Sequence, residues 1–168
     1  MRIRSGLRRR GRSLERWSLL VVLAAVVGGM LGGLELARWG AAEIGAGRWP
    51  LFVVGLVLMA AGIAVRQWAI VVLGRYFTVA VRVQSGQPVV DRGPYRWVRH
   101  PSYTGLVVFF VGLGLALGNW ASLAVLAVVP TAGLLVRIRF EERALVAGLG
   151  ASYERYAATR RRLFPGIW

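Results

Sequence analysis

The chain has 168 residues, 57% hydrophobic and 17% charged, a balance that belongs to membrane proteins and excludes an ordinary soluble domain. Its net charge of +15 comes from 22 arginines and no lysine, against Asp91 and six glutamates. Long apolar runs direct that charge to an anionic membrane surface and away from nucleic acid. The lack of cysteine removes disulfide and thiol chemistry, and a lone histidine gives no metal-ligand set.

Residues 1–16 carry seven arginines offset only by Glu15, which reads as a solvated basic tail. Residues 18–36 form a first apolar span bracketed by Trp17 and Trp39, as an interfacial aromatic belt requires. No A-x-A pattern closes this run and further apolar segments follow it, so it is expected to be an uncleaved span rather than a signal peptide. Gly28, Gly29, Gly32 and Gly33 make two overlapping G-x-x-x-G pairs, read as packing inside the bundle, with a homo-oligomer seam as the alternative.

A short loop leads to a second span over residues 50–74, with Pro50 in its first turn and Arg66 inside its apolar stretch. Arg66 is either a functional residue at membrane depth or a side chain snorkelling to the interface. In the polar stretch 75–99, loose alternation over residues 77–83 and the turn signal Ser85-Gly86-Gln87-Pro88 predict a small hairpin. Pro101 then opens a third span over residues 102–117. Gly118-Asn119 breaks it, and a fourth begins at Trp120, with Pro130 predicting a kink.

Spans three and four must form an antiparallel hairpin. Beyond Val136 the fourth helix is expected to leave the bilayer, with Arg137, Arg139, Glu141 and Arg143 in an outward i, i+4 ladder. Residues 151–160 predict a short amphipathic helix whose Tyr153 and Tyr156 anchor it at the interface, and residues 163–168 close the chain against that interface.

With four spans, 20 of the 22 arginines share one side, leaving only Arg38 and Arg48 opposite. By the positive-inside rule both termini and the central segment are cytoplasmic. The exclusive use of arginine points to a GC-rich bacterium and its plasma membrane. The expected fold is therefore all-α: one domain over residues 1–168, a polytopic bundle of four transmembrane helices with a cytoplasmic C-terminal helix.

Residues 93–105, Gly-Pro-Tyr-Arg-Trp-Val-Arg-His-Pro-Ser-Tyr-Thr-Gly, hold the only histidine and two of the six prolines. A helix starting at Pro101 offers unpaired N–H groups and a positive dipole end to an anion. The hairpin brings Glu141, Glu142 and Arg143 beside His100 and Tyr103.

This run, preceded by Leu73-Gly74-Arg75-Tyr76-Phe77-Thr78 and followed by Glu141-Glu142 and Tyr153-x-x-Tyr156, resembles the isoprenylcysteine carboxyl methyltransferase family. Related phospholipid methyltransferases share the Arg-His-Pro and paired-glutamate features. The resemblance covers roughly residues 64–165, with residues 1–63 adding only spans. It implies methyl transfer from S-adenosylmethionine, bound on the cytoplasmic side, to a lipophilic or lipidated acceptor entering from the bilayer.

Carried over, His100, Pro101, Tyr103 and Gly105, with Tyr95 and Arg99, would form the cofactor pocket. Glu141 or Glu142 would face the cofactor's cationic groups, one of the pair lying in the pocket and the other in the ladder. Arg143, or Arg137, Arg139 or Arg75, would clamp the acceptor carboxylate. A carboxylic acid is already ionised at pH 7 and needs no base, whereas an amine acceptor would need a glutamate or His100 to take its proton. A lipid-amine N-methyltransferase and a non-catalytic lipid-binding subunit are the alternative readings.

Overall fold

A computed structural model describes residues 3–40, 42–45, 47–78 and 87–166, with side-chain surroundings given from residue 17 onward. Among these residues five helices follow one another: α1 (Ile3–Arg38), α2 (Arg48–Leu73), α3 (Pro101–Ala116), α4 (Trp120–Leu149) and α5 (Ala151–Thr159). Short 3-10 turns at Gly74–Tyr76 and Gly93–Arg96 lie between α2 and α3. Two isolated β-bridges pair Glu43 with Asn119 and Val98 with Arg161. The hairpin expected over residues 77–83 falls largely outside the described residues, as does the end of the chain at 167–168.

Helix α1 begins at Ile3, so the backbone of the arginine-rich stretch expected as a solvated basic tail is helical and continues into the first span. Among the described residues, three segments are long and apolar enough to cross a membrane: Trp17–Arg38, Arg48–Tyr76 and Trp120–Leu149. The third expected span, α3, has only 16 residues, about 24 Å at 1.5 Å per residue, short of the ~30 Å hydrocarbon thickness. Trp39, Trp49 and Trp120 stand exposed at helix ends and Trp17 at the start of the apolar part of α1, the positions in which an indole meets both acyl chain and headgroup.

Two antiparallel glycine seams build the bundle. Between α2 and α3, an added Cβ on Gly62 would lie 2.5 Å from the Gly105 carbonyl oxygen, and one on Gly55 would lie 2.6 Å from that of Gly112. Both helices repeat glycine at seven residues, so the contact recurs two turns along and backbone meets backbone. Between α1 and α4, Gly29 receives the ring of Pro130, Gly33 receives Leu126, and Gly133 meets Ala25. Polar contacts close this second seam at both ends. Ser122 Oγ donates to the Gly33 carbonyl at 2.7 Å, and Arg137 Nη1 donates to Ser18 Oγ at 2.6 Å.

Gly29 and Gly33 are thus packed against α4. Helix α4 runs unbroken through the buried Pro130. Asn119 caps it by accepting from Ser122 N at 3.0 Å, and Gly114 lets α3 approach Leu123 across the α3–α4 turn.

Candidate functional site

Gly93 has φ +57, a conformation that glycine adopts at little cost, and it turns the chain into the Gly93–Arg96 turn that buries Pro94 and Tyr95. The chain then runs extended beside the C-terminal segment. Arg99 N donates to the Arg161 carbonyl at 2.8 Å, and His100 N donates to that of Arg162 at 3.0 Å. Thr104 Oγ1 reaches the Leu163 carbonyl at 2.6 Å. Tyr156 OH, in α5, donates to the Tyr95 carbonyl at 2.7 Å.

His100 is the N-cap of α3, but its side chain makes no capping bond. Its buried ring stacks on Tyr103 at 5.7 Å, and its Nε2 lies 3.4 Å from Glu142 Oε1. Glu142 is the centre of a cluster of cations. Its Oε1 is 2.9 Å from Arg99 Nη1, and its Oε2 accepts from Arg162 Nε at 2.9 Å. One carboxylate therefore ties α4 to the loop before α3 and to the C-terminal segment.

Glu141 faces the other way. It lines a cavity of about 350 Å³ together with Tyr95, Arg99, His100 and Tyr103, and its Oε2 accepts from Tyr103 OH at 2.7 Å. Arg66 and Arg137 reach the same cavity from α2 and α4. Arg66 Nη1 donates to Ser102 Oγ at 2.9 Å, and Arg66 forms no ion pair with any described acid. Leu19, Val22, Leu106 and Leu134 supply an apolar wall. Of four buried side-chain polar atoms without a hydrogen-bond partner among the described residues, two, Arg99 Nε and Tyr153 OH, belong to residues that line this cavity.

Of the residues singled out in the sequence, five are brought together at the cavity: Tyr95, Arg99, His100, Tyr103 and Glu141. Pro101 is buried in the first turn of α3, and Gly105 is spent on the seam with Gly62. Glu142 sits behind the cavity. Arg143 lies on the outer face of α4, exposed, with its guanidinium 5.9 Å from the Phe140 ring.

The outward ladder is corrected: Arg137 is buried and points at Ser18, Glu141 lines the cavity, and Arg139 and Arg143 pair with no described acid. Tyr153 and Tyr156 are also corrected: both are buried cavity-lining residues and not interfacial anchors. Burial pushes both phenols well above their ordinary pKa, Tyr153 further raised by Glu142 and Tyr156 by Tyr153. Residues 1–63 do more than span the membrane, since Leu19 and Val22 line the cavity and Ser18 holds Arg137. The signal was a serine at the head of an apolar run, which by itself suggests nothing.

The model of the isoprenylcysteine carboxyl methyltransferase (ICMT) family matches residues 53–147. A probable protein-S-isoprenylcysteine O-methyltransferase of Oryza sativa subsp. indica is 34% identical over 111 residues, covering 65% of this chain and 58% of the rice protein. Protein-S-isoprenylcysteine O-methyltransferase A of Arabidopsis thaliana is 34% identical over 111 residues, covering 65% of this chain and 56% of its own length. Methanethiol S-methyltransferase of Mycobacterium tuberculosis is 39% identical over 71 residues, 42% of this chain and 28% of that protein. The chain thus spans little more than half the length of these plant relatives. Because the matched stretch runs from α2 through the paired glutamates and takes in Arg66, His100, Tyr103, Arg137 and Glu141, the chain belongs to the isoprenylcysteine carboxyl methyltransferase family.

Proposed function

We propose that this protein transfers a methyl group from S-adenosylmethionine to the carboxylate of a lipophilic acceptor, isoprenylcysteine-like or similar, at a cavity open to the cytoplasmic side of a bacterial plasma membrane. The observation that carries this reading is the meeting, in one cavity, of an apolar wall, an acidic group and the guanidinium of Arg66, which pairs with no described acid. The donor set suits the cofactor. Glu141 would face its cationic groups, while Arg99 Nε and the Tyr153 hydroxyl are buried polar atoms that a ligand would satisfy. When bound, S-adenosylmethionine supplies an electrophilic methyl carried on a positive sulfur.

The chain's own residues have three tasks. Tyr103 fixes the Glu141 carboxylate through its 2.7 Å bond. Arg66, braced by Ser102, presents its remaining N–H donors to an acceptor carboxylate, which is ionised at neutral pH and needs no base. Leu106 and Leu134 exclude water, so the carboxylate meets the methyl group partly desolvated and in a fixed direction.

The test is incubation of detergent-solubilised protein with methyl-labelled cofactor and, in turn, a prenylcysteine analogue, a long-chain fatty acid and phosphatidylethanolamine. Alkali releases labelled methanol from a methyl ester but not from a methylated amine. We expect base-labile label on a carboxylate, and an acceptor KM raised roughly 10- to 100-fold by Arg66→Gln, the loss of one charge-assisted hydrogen bond. Base-stable label on the amine lipid, or no label on either carboxylate, would overturn the proposal.

A further inference from the structure

On the far side of α4 from the cavity, Arg139, Arg143 and Arg162 line a separate recess of about 470 Å³ with Glu142 at its back. Arg139 and Arg143 are exposed and four residues apart on one helix face, so their like charges repel. Neither forms an ion pair with any described acid. The nearest acid, Glu142, is already engaged by Arg99, His100 and Arg162. Two cations are therefore held at a concave surface whose one described acid, Glu142, is committed to other partners.

What lies along the same face of α4 says what such a site would hold. Val129, Ala132 and Val136 are exposed, and the spacing from Val129 through Val136 to Arg143 keeps them in one stripe with the arginines. The stripe changes from apolar to basic at Arg139, within one turn of Val136. An acyl chain would lie on the apolar part and a phosphate would reach the arginines just beyond it.

We infer that Arg139 and Arg143, with Arg162 at the edge, form a binding site for the phosphate of an anionic membrane phospholipid. Charge complementarity and continuity with the lipid-facing valines select a phospholipid over a soluble anion. The site is separate from the cavity, and its lipid binding does not depend on methyl transfer.

The test is native mass spectrometry of the full chain in neutral detergent with equal amounts of phosphatidylglycerol and phosphatidylcholine. Near a membrane surface each arginine favours an anionic headgroup by about fivefold, so the pair should give a preference of roughly 25-fold for phosphatidylglycerol. R139Q/R143Q should abolish that preference and R139K/R143K should keep most of it. R92Q/R96Q, removing two equally exposed arginines elsewhere, should leave it intact. Equal retention of the two lipids, or equal losses in R92Q/R96Q and R139Q/R143Q, would overturn the site. Displacement of the lipid by excess inorganic phosphate would overturn the assignment to a phospholipid.

Discussion

Glu142→Gln separates the two adjacent glutamates by their work. The substitution keeps the size of the side chain and opens no cavity. It removes the charge that faces Arg99 Nη1 and Arg162 Nε, each at 2.9 Å. Losing one partner of a buried ion pair costs about 3–5 kcal/mol, because the other charge is left in a poor environment. Arg162 keeps 30% of its side chain exposed and water screens it in part. We therefore expect about 3 kcal/mol, or a fall in Tm of roughly 6–12 °C for a chain of this size. Glu141→Gln is the control: it faces the cavity, its bond to Tyr103 survives as a neutral one, and it should cost about 1 kcal/mol or less. Circular dichroism melts in detergent give the stabilities, and calorimetry with S-adenosylmethionine gives the affinities. Stability should fall mainly with Glu142→Gln and affinity mainly with Glu141→Gln. Should Glu142→Gln melt within ~2 °C of the parent, or Glu141→Gln melt lower, the ion cluster does not hold the segments together.

Two further outcomes follow from the packing and the burial. Gly62→Ala drives a methyl group to within 2.5 Å of the Gly105 carbonyl oxygen and should cost about 1–3 kcal/mol, whereas Gly28, with nothing within 4 Å of an added Cβ, should accept alanine without loss; comparable melts for the two would contradict the seam. Burial, then Glu141, raises the pKa of Tyr95, and Tyr153 and Tyr156 are raised with it. A raised folded-state value means that their contribution to stability is whole below about pH 10 and is lost as pH climbs past it. An ultraviolet titration should show these three phenols ionising only as the protein unfolds, and early ionisation of all five tyrosines in the folded protein would refute their burial.

The helices were legible because apolar runs and their punctuation are local. Pro50, Pro101 and Asn119 mark helix starts to within a few residues, and Gly150 is the C-cap of α4. The juxtaposition of His100 with the paired glutamates was legible from the short Gly118-Asn119 turn alone. Which way each side chain points was not. Glu141 and Glu142 are neighbours 100° apart on one helix, and only the position of the C-terminal segment decides which of them receives Arg162. Arg143 suited the clamp by residue type, yet the faces of α4 toward α1 and α3 leave it outside. The α2–α3 seam was written in the seven-residue spacing of Gly55 with Gly62 and of Gly105 with Gly112, a pattern that has meaning only once the two helices are known to be partners.

Residues beyond the matched family region finish the site they do not belong to in sequence. The extended approach to α3 ends at Pro101, so the N–H groups of Arg99 and His100 lie outside the helix and need acceptors from elsewhere. The carbonyls of Arg161 and Arg162 supply them, and that of Leu163 takes the Thr104 hydroxyl. Without this segment, buried donors would stand unpaired at about 1–3 kcal/mol each, and Glu142 would keep Arg99 but lose Arg162. The segment is itself positioned by α5, where Tyr156 bonds to the Tyr95 carbonyl and Leu163 is buried. The orientation of His100 is thus set jointly by α3, α4 and a segment some 60 residues further along, and α5 is held to the site by the same contacts that complete it.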